Sequence, residues 1–142
     1  MEPNIKNVAN SNDEYSEILS AKIKEVCSKV NCSYEGIKWI IFDPYKNTSN
    51  SLEKIMVGRK GTDYGYYDLK NKIWISTLAI KKEINKTKNN NKKYENDFLA
   101  NLILDEITHM ITKCDHGTKK YDDQLKRFKN IYYDRNLFFS KN

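Results

Sequence analysis

The run Asp105-Glu106-Ile107-Thr108-His109, followed seven residues later by His116-Gly117, contains both histidines of this 142-residue chain. On an α-helix, residues at i and i+4 stand on one face, so a ligand at each can share a single ion. A Glu directly after the first ligand is then at hand to polarise a water. Zinc hydrolases of the H-E-x-x-H type have this layout. Here the first position holds Asp. Its carboxylate oxygen binds zinc at about 2.0–2.2 Å, but the side chain is shorter than imidazole. Oxygen ligands also favour harder ions, so manganese or iron(II) stand beside zinc as candidates. His116 is the expected third ligand, because Gly117 lets the chain bend back past the helix end. Cys114, Asp115 and Asp122 are rival donors nearby.

A helix over 94–113 would carry the motif. At about 100° per residue, Leu99, Leu102, Ile103, Ile107 and Met110 form one apolar stripe. Glu106 falls inside that stripe, Asp105 and His109 sit on its flank, and Asn101, Thr108 and Thr112 mark the expected wet side. An unpaired carboxylate within an apolar face costs several kcal/mol, so the position needs a partner or a task. A lysine from another element would satisfy Glu106, and a single helical histidine is usually structural. Two histidines flanking one Glu at ligand spacing favour a metal site, with Asp105, His109 and His116 as ligands and Glu106 as base.

Other elements must position this helix. Tyr15, Ile18, Leu19, Ile23, Val26, Cys27 and Val30 recur at helical steps from Asn12 to Val30, with Ser11 or Asn12 as cap and Asn31 as terminator. Ile37–Phe42 reads as a buried strand stopped by Asp43-Pro44, and Leu52–Val57 as a second strand after a turn at Asn47–Ser51. Gly61–Asp68 and Ile73–Ser76, joined at Asn71-Lys72, read as a hairpin. Ser76 or Thr77 can cap a helix through Ile84. Residues 81–93, with six lysines, read as a solvated loop. Thr118 caps a last helix through Lys129, whose core face is Tyr121, Leu125, Phe128 and Tyr132, and Leu137-Phe138-Phe139 folds against the body. The expected fold class is α+β, a small antiparallel sheet backed by helices. Residues 1–11 are expected to be a flexible N-terminus and 12–142 a single domain.

Charged residues make up 31% of the chain, apolar ones 39%, and the net charge is +6 with a pI near 9.1. A basic balance permits contact with nucleic acid without requiring it. Three cysteines without a C-x-x-C pair, no long apolar run and no signal-like start predict an intracellular protein, cytoplasmic or nuclear, without a membrane partner. Neither substrate nor oligomeric state is legible.

Tyr64-Gly65-Tyr66-Tyr67-Asp68, then Lys72-Ile73-Trp74-Ile75-Ser76, then Leu102 to His109, then His116-Gly117 resemble the SprT-like metallopeptidases of the zincin fold. The likeness spans roughly residues 12–130, and its specific parts are the hairpin and the motif helix. It implies a zincin-like fold whose active-site helix carries D-E-x-x-H. It further implies metal ligation by Asp105, His109 and His116, Glu106 as catalytic base, and hydrolysis of protein or peptide substrates, including DNA-associated proteins. The sequence departs from the family in its Asp at the first ligand position. Tyr121 also lies one residue further from the His-Gly pair than the family's aromatic. Thr112 replaces the glycine that a metzincin would have. The competing expectation is a catalytically inactive zincin-like module that binds nucleic acid or protein through its lysine-rich surface.

Overall fold

The computed structural model describes residues 2–9, 13–44, 65–67, 70–88 and 97–133. In chain order these form β1 (Asn4–Asn7), α1 (Asp13–Val30), β2 (Lys38–Phe42), β3 (Gly65–Tyr67), β4 (Lys72–Ser76), α2 (Thr77–Lys88), α3 (Phe98–Thr112) and α4 (Lys119–Tyr132). The class is α+β. The sheet order is β1-β2-β4-β3, with β1 parallel to β2, β2 parallel to β4, and β3 antiparallel to β4.

The expected antiparallel sheet is therefore wrong except at its β3–β4 edge, where the hairpin stands. Helix α1 connects β1 to β2, and a helical crossover is what parallel neighbours need. The composition of β2 and β4 fits this arrangement. Their sequences KWIIF and KIWIS are almost continuously apolar, as in parallel strands covered on both faces. Trp39, Ile41, Ile73 and Ile75 join the main core with the helices, while Ile40, Phe42 and Trp74 form a smaller cluster on the other face.

Strand β1 is a second correction, since residues 1–11 read as a flexible leader. Only Ile5 of this short strand packs against the main core, so no alternation announces it. Backbone pairing with β2, from Asn4 opposite Lys38 to Asn7 opposite Ile41, holds it in place. A third correction concerns 85–88, beyond the helix expected to end at Ile84 and found within α2, while 89–93 of the expected loop lie outside the described residues. Lysine is a good helix former, and Lys81 and Lys82 face solvent while Ile80 and Ile84 keep the core face. The expected cap is present: Leu78 N–H donates to Ser76 Oγ at 3.0 Å. The 52–57 strand, the 47–51 turn, the caps at Ser11 and Asn12, residues 61–64 and 68 of the hairpin, and the 137–139 tail lie outside the described residues. No helix of the described residues is long and apolar enough to cross a membrane.

Helix α3 lies at the centre, packed against α1, α2, α4 and β3. Leu99, Ala100, Ile103, Leu104 and Ile107 are fully buried. Thr108 and Thr112, assigned above to the wet side, are buried as well. Each returns its hydroxyl to the carbonyl one turn back, Thr108 to Leu104 at 2.6 Å and Thr112 to Thr108 at 2.8 Å. A threonine that satisfies itself in this way enters a core as a small apolar residue, which a polar-versus-apolar wheel misses. At Gly65 the sheet edge meets α3 closely. A Cβ there would stand 2.8 Å from the Trp74 carbonyl oxygen and 3.1 Å from Leu102.

Candidate metal centre

Helix α3 ends at Lys113, which takes a left-handed conformation (φ 57°) and donates its N–H to the His109 carbonyl. Four residues on, Gly117 is also left-handed at φ 91°. A Cβ at Gly117 would meet nothing within 4 Å, so the backbone angle, not space, makes glycine suitable there. Thr118 then caps α4, its hydroxyl accepting from Tyr121 N–H at 3.3 Å. These two turns fold residues 113–118 over the end of α3 and return His116 to the face that carries Asp105 and His109.

The three side chains meet. His109 Nε2 lies 3.1 Å from His116 Nε2 and 3.7 Å from Asp105 Oδ1, and His116 Nε2 lies 3.4 Å from Asp105 Oδ1. One donor atom from each falls within a 4.8 Å group. Four ligands arranged tetrahedrally at about 2.0–2.2 Å from an ion stand about 3.3–3.6 Å from one another, which these separations bracket. His109 Nδ1 sits 2.9 Å from the Cys114 carbonyl oxygen. A carbonyl only accepts, so Nδ1 carries the proton and Nε2 presents its lone pair to the group. Backbone or carboxylate partners fix metal-binding imidazoles in the same way.

Asp105 Oδ1 is almost shut off from solvent yet makes no hydrogen bond among the described residues. Burial pushes the Asp105 carboxyl above its ordinary value, while His116, His109 and Lys129 pull against that shift. An anionic oxygen and two neutral imidazole nitrogens facing one point form a donor set suited to a divalent cation. His116 leaves the site open on one side, its side chain 65% exposed, whereas His109 and Asp105 are mostly covered.

Tyr121 has a role at the site beyond the core position that the sequence reading gave it. It is buried as expected, but its ring packs on both imidazoles, with centroids 4.5 Å from His109 and 4.5 Å from His116. Its position in the first turn of α4, set by the Thr118 cap, puts it beside His116. That capping signature and the spacing of Tyr121 from the His-Gly pair were the sequence clues. Glu106 is 3% exposed within the apolar face of α3, as its place in the stripe predicts, and is not one of the three grouped donors. Of the rivals, Cys114 contributes its carbonyl and turns its thiol to Thr112 O. Asp122 accepts from Gly117 N–H at 3.3 Å and so braces the returning turn. Asp115 holds Thr118 through its backbone carbonyl. Lys113 also reaches β3, its Nζ 3.3 Å from Tyr67 Oη, tying the hairpin to the site end of α3. The chain matches no family model, no curated protein and no solved structure.

Proposed function

We propose that this protein is a metal-dependent peptidase of SprT-like, zincin-type design, with Asp105, His109 and His116 as ligands and Glu106 as base. The observation that carries this reading is the convergence of three donor atoms with the His109 tautomer fixed and a buried Asp105 oxygen that makes no hydrogen bond among the described residues. The order of parts agrees with the resemblance. A hairpin packs against the motif helix through Gly65 and Leu102, and a His-Gly pair returns to that helix from downstream.

A bound zinc ion, or manganese or iron(II) in its place, would act as a Lewis acid that acidifies water and polarises a scissile carbonyl. The chain's own residues do the rest. The Cys114 carbonyl keeps His109 in the ligating tautomer, and Tyr121 restrains both imidazole planes. Glu106 accepts the proton of the attacking water and hands it to the leaving amine, which general base catalysis requires. The open side at His116 admits an extended peptide. A basic chain suits substrates associated with DNA, and net charge +6 is the support for that part of the reading.

The inactive binding module rests on a specific observation too, the Asp at the first ligand position. Hydrolysis separates the two readings. Metal-loaded protein incubated with an unfolded protein substrate, with and without DNA, is expected to cleave it. Glu106→Gln should slow that cleavage by about 10²–10⁴-fold while leaving metal content unchanged. Metal-loaded wild type with no cleavage above the Glu106→Gln background would favour the binding module.

A further inference from the structure

The sequence pairs no cysteines, but the fold brings two together far from the metal centre. Cys27 and Cys32 are five residues apart, and in an unbroken helix they would face different directions. Helix α1 stops in between. Asn31 is left-handed (φ 56°), Cys32 N–H donates to the Cys27 carbonyl at 2.9 Å, and Asn31 N–H to Ser28 O at 3.4 Å. This is a Schellman turn, whose geometry lays the side chain beyond the helix end against the one a turn inside it. Here both side chains are thiols.

The two differ in access. Cys27 is 2% exposed within the core, whereas Cys32 is half-buried at the rim and reaches the Ser33 carbonyl at 3.6 Å. Each thiol also shifts the titration of the other. Cys27 beside it favours the anion at Cys32, drawing its pKa down to about 7, and the neighbouring Cys32 together with burial drives the Cys27 thiol far up. An oxidant therefore meets Cys32 first, and Cys27 waits behind it.

We propose that Cys27 and Cys32 form a reversible oxidation site, with Cys32 attacking a peroxide and Cys27 resolving the product to an intramolecular disulfide. The Cys32 thiolate bonds to one peroxide oxygen, the O–O bond breaks, and the departing hydroxide takes a proton to become water. Cys32 is then a sulfenic acid. The Cys27 sulfur gives up its proton and attacks the Cys32 sulfur, the S–O bond breaks, and the oxygen leaves as a second water. Two thiols lose two electrons in all, and the peroxide gains them. A thiol reductant reverses the change. The bridge would close the join between α1 and β2, and it is independent of the metal centre.

Hydrogen peroxide on the reduced full-length protein tests this directly. Lys29 lies between the cysteines, so trypsin places them on separate peptides that only a disulfide can hold together. The expected result is one linked Cys27–Cys32 species, released by reductant, with Cys114 still a free thiol. Cys27→Ala should leave Cys32 as a sulfenic acid that a dimedone-type reagent traps. At pH 7 wild-type Cys32 should react with peroxide about tenfold faster in the folded protein than in urea, and Cys27→Ala should lose most of that advantage. Unlinked peptides with Cys32 over-oxidised, or oxidation falling first on Cys114, would overturn the proposal. The wild-type peptide map decides even if the Cys27 variant folds poorly.

Discussion

Helix α3 holds two carboxylates, Asp97 at its N-cap and Asp105 at its midpoint, in opposite ways. At the N-terminal end, Asp97 caps the helix by accepting from Ala100 N–H at 3.2 Å. It also accepts from Lys22 Nζ at 3.0 Å and from Tyr132 Oη at 3.2 Å. Lys22 reaches Glu83 at 3.2 Å and Glu25 at 3.4 Å, and Tyr132 donates to Glu25 at 2.6 Å. A cation supplied by the chain itself closes this network. Midway along the helix, Asp105 faces two imidazoles, and among the described residues no lysine or arginine comes within ion-pair distance, Lys129 acting on it only through space. One helix thus carries an acid held by a lysine of the chain and an acid that meets two imidazoles instead. The types of residue do not separate a structural site from a functional one; the partners do.

That contrast breaks most visibly at Lys22. Lys22→Met should destabilise the protein by about 3–5 kcal/mol in urea unfolding, because Asp97 and Glu83 lose their buried cation. Bound zinc should not restore the loss beyond what it gives the wild type. A variant of near wild-type stability would show that the N-terminal network is not closed by Lys22.

Alkaline pH probes the same network more gently. Burial would lower the Lys22 ammonium, but Asp97, Glu83 and Glu25 outweigh it and hold its pKa above the ordinary value. Burial raises the Tyr132 hydroxyl, and the acceptors Glu25 and Asp97 raise it further. Both groups keep their protons in the folded state where the unfolded chain releases them. Their stabilisation is complete below about pH 10 and falls as pH rises beyond it. Unfolding midpoints followed from pH 8 upward should decline above about pH 10 in wild type, and less steeply in Tyr132→Phe. A flat wild-type profile contradicts the network as described.

The smallest effect is expected at Asp105, with reversed sign. With chelator present, Asp105→Asn removes a desolvated charge and should stabilise the protein by about 0.5–1 kcal/mol, the usual mark of a site selected for work over stability. With zinc present, the same variant should lose the stabilisation that the ion gives wild type. A chelated variant less stable than wild type would make Asp105 structural, like Asp97.

Much of this was legible in sequence, and the failures have physical causes. Helices α1, α3 and α4 announce themselves by three- and four-residue apolar steps and by caps such as Thr118. The meeting of Asp105, His109 and His116 was readable because i,i+4 spacing and a His-Gly turn are local geometry. Sheet topology was not, since the pairing of β2 with β4 depends on residues more than thirty positions apart. The partners Lys22 and Asp97 are 75 residues apart, so nothing local joins them. Thr108 and Thr112 deceived because hydroxyls can be satisfied within their own helix. Tyr121 read as a core residue, which it is, and its contact with both imidazoles emerges only once the 113–118 turn is folded.

Equilibrium titration of chelator-stripped protein with zinc, wild type beside His109→Ala, tests the central claim most directly. The account predicts about one ion bound per wild-type chain and a large loss of affinity in the variant, with folding intact by circular dichroism. Wild-type protein that takes up no zinc, manganese or iron(II), or binding that survives loss of the His109 imidazole unchanged, would contradict it.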